Sequence, residues 1–245
     1  MSINRQSIAQ LNQEFYQLDL NKALSNLRTH FKHKITFSSS LGLEDQVITD
    51  AIFRRDLDIE IFSLDTGRLF PETLSLLDET QRKYNKSIKV YYPQNTMLEH
   101  YVSKKGINAL YDTQHDRKEC CYIRKIEPLN RALHGAQVWV SGIRQAQSDY
   151  RSEMQFFEWD AERELVKFNP LLKWSTNELW QYVHQYEVPY NRLHEQGFPS
   201  IGCAPCTRAI AAGEDERAGR WWWEQADKKE CGLHTHTELP AIVVA

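Results

Sequence analysis

Apolar residues along the chain switch between two spacings. Ile8, Leu11, Phe15 and Leu18 recur three or four positions apart, which predicts an opening helix. Lys34 to Phe37 reads as a short buried strand. The polar loop SSSLGLED follows, then a helix over about 44–55 with Val47, Ile48, Ala51 and Ile52 on one face. Ile59 to Leu64 is a second strand, ending in DTGRLFP. Pro71 there suits the first turn of the next helix, where its missing N–H has no bond to make. Leu74, Leu77 and Tyr84 continue that helix. Ile88 to Tyr92, Gln137 to Ser141 and Leu165 to Phe168 read as three further strands. Ser175 and Glu178 have the spacing of a capping box and open a helix through Leu179, Trp180 and Val183.

Strands that alternate with helices and are apolar throughout predict an α/β fold, a doubly wound and mostly parallel sheet covered on both faces. After about Pro189 periodicity fades, and Gly, Pro, Cys, Arg and Trp take over. The expected organisation is an α/β domain over 1–189 and a C-terminal segment, 190–245, laid across the edge of the sheet to cover the active site.

Composition narrows the function classes. With 245 residues and 41% hydrophobic content, the chain can bury one large core. A net charge of −3 gives no global basic field, so nucleic acid is not an expected partner and an anionic ligand needs a local basic pocket. The start, MSINRQSIAQLNQEF, has no apolar signal core, and no apolar run approaches membrane-spanning length. A soluble, cytoplasmic protein without a membrane partner is expected. The oligomeric state, a homo-oligomer included, is open.

In open parallel sheets ligands bind at the carboxyl ends of the strands. Those ends here are SSSLGLED, DTGRLFP and SGIRQAQSDYR. The first loop leads into a helix, and its Ser hydroxyls and backbone N–H groups suit either an anion site or a plain capped turn. It is neither a Walker A loop nor GxGxxG. Arg144 and Arg151, just past Gly142, are placed to grip a phosphate or sulfate in bidentate fashion.

The five cysteines divide into two pairs and a single residue. Cys203 and Cys206 form IGCAPC; Cys120 and Cys121 are adjacent in KECCYIRK. Four thiolates suit a 4Fe-4S cubane or a structural zinc. A tandem Cys-Cys fits poorly into a zinc knuckle, which needs a tight turn between thiolates, so iron-sulfur is favoured over zinc and over plain core cysteines. Cys231 stands alone in KKECGLH, with Lys228, Lys229 and His234 nearby to lower a thiol pKa and Gly232 to free the backbone. That is the setting of a nucleophile. Between the pairs and Cys231 lie Arg208, Arg217 and Arg220, then Trp221 to Trp223. Arg217 and Arg220 are read as grips for an anionic substrate and the tryptophans as an apolar anchor.

Taken together, FSSSLGLED, FSLDTGRLFPET, KECCYIRKIEPL, IGCAPCTR, GRWWWE and KKECGLH resemble the bacterial and plant-type assimilatory adenosine 5′-phosphosulfate (APS) reductases of the PAPS/APS reductase family, over about 34–234. The resemblance implies an adenine-nucleotide α-hydrolase-like sheet, with 1–189 binding the nucleotide. It implies Cys120, Cys121, Cys203 and Cys206 as ligands of a 4Fe-4S cluster and Cys231 as the catalytic residue. It also implies substrate contacts at Ser39, Asp45, Leu64, Lys125, Gly142, Arg151, Arg217, Arg220 and His234. The chain departs from many members in the first loop, where Leu41 replaces a hydroxyl and leaves Ser40 or backbone donors. The implied reaction is attack of the Cys231 thiolate on the sulfur of APS, release of AMP, and an enzyme S-sulfocysteine. A thioredoxin- or glutaredoxin-type dithiol then frees sulfite for cysteine biosynthesis.

Three other readings are weighed. A reductase of 3′-phospho-APS (PAPS) typically lacks the paired cysteines, although use of both substrates is compatible with this sequence. A tRNA-thiolating enzyme on the same sheet carries a Ser-Gly-Gly-x-Asp-Ser type loop, which SSSLGLED does not match. A zinc-stabilised binding module would contain no iron.

Overall fold

The computed structural model describes residues 5–148 and 151–224. Contacts divide the chain into two compact units, each drawn from three stretches: Met1–Ser63, Pro71–Lys89 and Gly135–Gln196, and Leu64–Phe70, Val90–His134 and Gly197–Ala245. The second unit therefore joins the cysteine-rich C-terminal stretch to 90–134. The sequence division at 189/190 does not anticipate that union, because it follows loss of periodicity rather than contacts.

The first unit opens with α1 (Arg5–Phe15) and α2 (Leu20–His30). The single opening helix expected from the spacing is two. α1 ends at Phe15, and Asp19 caps the next helix by accepting from Lys22 N–H at 2.9 Å. Leu20, Ala23, Leu24 and Leu27 form the buried stripe of α2. There follow β1 (Lys34–Ser39), α3 (Leu43–Arg54), β2 (Glu60–Leu64), α4 (Pro71–Tyr84) and β3 (Lys89–Tyr91). Later come β4 (Ala136–Val140), β5 (Phe157–Asp160), β6 (Leu165–Phe168) and α8 (Thr176–Tyr186), whose Ser175/Glu178 capping box is formed in both directions.

The sheet has six strands in the order β3-β2-β1-β4-β6-β5. β1 pairs in parallel with β2 and β4, and β4 with β6. The antiparallel edge strand β5, four residues long, is absent from the sequence expectation. Four residues with Phe157 and Asp160 buried and Trp159 40% exposed offer no alternation to count. The strands are also less uniformly apolar than they read. Ile35, Phe37, Val138, Val140, Val166 and Phe168 face the main core, but the aligned residues Thr36, Trp139 and Lys167 are buried as well. Trp139 Nε1 donates to Ser38 Oγ at 2.7 Å, and the Lys167 ammonium lies 5.5 Å from the Trp139 ring centroid.

The second unit contains α5 (Asn95–Lys105), α6 (Gln114–Cys121) and α7 (Glu127–Leu133). A π-helical turn over Tyr122–Ile126 joins α6 to α7, closed by a bond from Glu127 N–H to Tyr122 O. Pro128, at the start of α7, has no N–H to return to the preceding turn, which is the local cause of the wide turn. A separate apolar cluster holds this unit: Tyr101, Ala109, Leu110, Ile123 and Trp221 packed with Cys120, Cys203 and Cys206.

Candidate functional site: a nucleotide cleft and a cysteine cage

Reversal of strand order between β1 and β4 makes their carboxyl ends the topological switch point of the first unit, where open α/β sheets bind ligands. Gly142 lies at the end of β4 and Asp45 in the first turn of α3. They approach so closely that a Cβ on Gly142 would collide with Asp45 Oδ1 and lie 3.1 Å from Glu44 Cβ. Asp45 Oδ2 accepts from both the N–H and the hydroxyl of Ser40, each at 2.6 Å. Leu41 takes the left-handed conformation, φ 62°, and donates its N–H to Ser39 Oγ. The Ser40 donors offered to an anion by the sequence are thus given to the protein's own carboxylate. Burial pushes the Asp45 carboxyl up to about 7, against the Ser40 hydrogen bonds and the field of Arg151.

Arg144, read in the sequence as a grip for a phosphate or sulfate, is engaged within the protein. It is 2% exposed, and its Nε donates to Glu44 Oε1 at 2.8 Å while Nη1 donates to Trp174 O. Gln147 also donates to Glu44. Arg144 therefore braces the loop after β4 against α3. Arg151 is buried in the same unit and donates to Gln147 Oε1. Ser39 is buried at the end of β1. Leu64 ends β2 and opens the first stretch of the second unit.

In the second unit, Cys120, Cys121, Cys203 and Cys206 are all buried and all free thiols. They line one cavity together with Arg68, Leu110, Arg117, Arg124, Lys125 and Pro205. Local structure explains the convergence. Cys203 precedes a tight 3-10 turn, Ala204–Cys206, with Pro205 inside it, and Cys206 N–H closes on Cys203 O at 2.9 Å. Ala204 N–H donates to Arg68 O, and Thr66 Oγ1 lies 3.2 Å from Cys203 Sγ. Cys120 and Cys121 end α6 at the π turn, which carries Arg124 and Lys125.

The electrostatics of this cage are unbalanced. Burial pushes the Cys206 thiol up to about 11, with Lys125 and Arg220 working against it. Burial likewise raises Cys120, against Arg124. Arg124 Nε, Arg220 Nε and Trp221 Nε1 are buried donors with no acceptor among the described residues. Such groups cost about 1–3 kcal/mol each when left unmet. Arg220 is pressed against Gly202, where a Cβ would lie 2.6 Å from its Cζ. Arg217 lies at the surface of the same stretch, its N–H donating to Asp215. Cys231 and His234 lie outside the described residues.

Sequence reasoning missed Glu44, Arg117 and Arg124 as parts of these sites. The last two had a signal: Arg117 to Cys121 and Cys120 to Arg124 are both i, i+4 pairs, which share a helix face.

The family model described as the phosphoadenosine phosphosulfate reductase domain matches residues 34–209. The chain belongs to the phosphoadenosine phosphosulfate reductase domain family. An adenosine 5′-phosphosulfate reductase of Allochromatium vinosum is 52% identical over 84% of this chain and 80% of its own length. The crystal structure of a phosphoadenylyl-sulfate reductase from Candida auris, a phosphate complex, superposes with a TM-score of 0.72 at 25% identity, covering 83% of this chain and 97% of that one. An FMN adenylyltransferase of Candida glabrata has a TM-score of 0.54 at 16% identity over 85% of this chain and 70% of that one. That last likeness concerns the fold alone. The family match ends at 209, short of Arg217, Arg220 and the tryptophan run.

Proposed function

We propose that the chain reduces APS to sulfite and AMP in sulfate assimilation, with Cys231 as nucleophile, a thioredoxin-type dithiol as reductant, and a 4Fe-4S cluster held by Cys120, Cys121, Cys203 and Cys206. One observation carries the reading. Four buried free thiols line one cavity with Arg68, Arg117, Arg124 and Lys125, in a chain about half identical to relatives named APS reductase. The donor set fits the cluster on its chemistry. Desolvated thiols become thiolates readily when they bind iron, the cationic lining offsets their charge, and the unmatched N–H groups of Arg124, Arg220 and Trp221 suit sulfur acceptors. When bound, the cluster supplies an ordered, electron-rich core that fixes the charges around Lys125.

The nucleotide belongs in this reading at the β1/β4 switch point, against Ser39, Asp45, Gly142 and Arg151. Lys125, Arg217, Arg220 and His234 meet the phosphosulfate and stabilise charge building on the AMP leaving group. The Cys231 thiolate forms an S–S bond with the sulfonate as the S–O bond to AMP breaks. The reductant's thiolate then attacks Cys231 Sγ, releasing sulfite and leaving a mixed disulfide that its second thiol resolves.

The test is an anaerobic single turnover without reductant, read by intact and peptide mass. A sulfonate gained on Cys231 with APS, and lost on adding thioredoxin, is the expected result. A gain with PAPS alone would change the substrate. No adduct with either, in protein that holds its iron, would overturn the assignment of Cys231.

A further inference from the structure

We infer that Asp45 is a specificity-determining residue: its carboxylate fills the anion position at the head of α3, between the carboxyl ends of β1 and β4, and so excludes nucleoside triphosphates of the ATP class from the cleft. The inference rests on the proposed function, which places the nucleotide at that switch point, and it names which adenine nucleotides are turned away. The turn from β1 leads into the N-terminus of a twelve-residue helix, with Gly42 at the N-cap and no side-chain hydrogen bond from it. A phosphate commonly rests on such a turn in open α/β sheets. Here the chain fills the place itself. Ser40 gives both its N–H and its hydroxyl to Asp45 Oδ2, each at 2.6 Å. Leu41 N–H turns back to Ser39 Oγ at 3.2 Å. Asp45 is 7% exposed, and its Oδ1 lies where a Cβ on Gly142 would collide with it. One carboxylate thus reaches from the loop after β1 to the end of β4, across the crevice.

The backbone keeps this arrangement. Leu41 holds φ at 62°, a region that a bulky residue adopts only when its surroundings fix it, and its side chain is buried. The turn cannot swing its N–H groups outward into an anion nest without drawing Leu41 out of the interior. Charge acts in the same direction. Glu44 and Asp45 both stand in the first turn of α3. Arg144 and Gln147 donate to Glu44 Oε1 at 2.8 and 3.0 Å, and Arg151 acts on Asp45 from the loop after β4. A phosphate brought to this turn would meet two carboxylates and find the Ser40 donors taken. The hydroxyl and amine groups of a nucleoside would meet acceptors instead. The head of α3 therefore suits the adenosine end of the substrate and rejects a chain of further phosphates. The same carboxylate also steadies the start of α3, so selection has to be told apart from capping.

The experiment uses the full chain, isolated anaerobically with its iron, at pH 8. Asp45→Ser removes the charge and releases the Ser40 donors; Asp45→Asn removes the charge and keeps the shape. Dissociation constants for AMP and for ATP without magnesium are measured by calorimetry, and urea midpoints report stability. The parent should bind ATP more weakly than AMP. The ratio of the ATP constant to the AMP constant should fall roughly tenfold to a hundredfold in Asp45→Ser, the size of one like-charge contact together with the released donors. In Asp45→Asn it should fall roughly threefold or more, and that variant alone decides if Asp45→Ser does not fold. A parent-like ratio in every variant that folds, whatever the urea midpoints, would overturn the inference and leave Asp45 a helix cap. So would a parent protein that binds ATP as tightly as AMP. Failure of the parent to bind either AMP or APS would instead overturn the place given to the nucleotide in the proposed function.

Discussion

The two units handle buried polar groups in opposite ways. In the first, they pair with one another. Asp50, fully buried on α3, accepts from Tyr84 at 2.7 Å and Tyr182 at 2.8 Å and bonds Arg54 at 2.9 Å. Gln46 donates to Thr80 and to Pro189 O, and Arg144 to Glu44. What is left unmatched there is scattered, Gln46 Oε1 and Glu72 Oε2 for example. In the second unit the unmatched donors lie around the cage: Arg124 lines it, Arg220 bears on Cys206, and Trp221 packs with Cys120, Cys203 and Cys206. The first unit meets these buried polar groups from within; the second holds donors for a ligand to complete. A buried donor without an acceptor destabilises, so its concentration in one place marks a ligand site more clearly than any single residue type does.

The largest effect that sharpens this contrast is expected from Cys203→Ser. Iron and acid-labile sulfide should fall to near zero, and hydrogen exchange should accelerate over α6, the π turn and residues 197–224. Protection in β1, β4 and β6 should stay at the parent level. Iron chelation under anaerobic conditions should reproduce that pattern without a mutation. Equal loss of protection in both units would break the contrast and show one cooperative fold.

Gly142→Ala reverses the target. Its Cβ would displace the Asp45 carboxylate from the end of β4, and overpacking of this kind costs about 2–3 kcal/mol. Urea denaturation should show that loss, and AMP binding followed by calorimetry should weaken, while iron content remains. Unchanged AMP affinity would remove Asp45 and Gly142 from the nucleotide cleft.

How much of this was legible follows from range. The sheet was readable because β1, β2 and β4 are runs of apolar residues bounded by turns, and α8 because Ser175 and Glu178 are three apart. β5 and the break between α1 and α2 were not, since a four-residue edge strand and an Asp19 cap leave little periodicity to count. The grouping of four cysteines into two pairs was legible from spacing, and the structure brings all four to one cavity. Their cage was not, because Thr66, Arg68, Arg117 and Trp221 reach it from separate stretches of the sequence. The pairing of Arg144 with Glu44 was not legible for the same reason: the two are 100 positions apart. The π turn had a local cause in Pro128, but a proline after a helical run equally predicts an ordinary helix start.

The pH dependence of the first unit is the next prediction. Asp45 binds its proton more tightly folded than unfolded, because burial raises it from 3.8 to about 7. Stability from this group is complete below the unfolded value and is lost as pH rises through about 7. Asp45→Asn removes the titration. The variant should gain on the parent by about 2 kcal/mol at pH 8, and the gain should shrink towards pH 5. Denaturant midpoints at the two pH values measure it. A gain independent of pH would mean that Asp45 is ionised throughout.

The smallest effect tests whether the contrast survives where local rules suffice. Glu178 closes the capping box of α8, accepting from the Ser175 N–H at 2.8 Å, while Ser175 Oγ accepts from the Glu178 N–H at 3.2 Å. The Ser175 hydrogen bonds hold the Glu178 carboxyl below its ordinary range. Glu178→Ala should cost about 1 kcal/mol at neutral pH, as loss of a helix cap does. The penalty should fade as pH drops through the carboxylate range, since a group held low contributes only while ionised. Iron content should not move. A drop in iron on changing this cap of the first unit would mean that strain in α8 reaches the cage, and the two units would then have to be treated as one energetic body.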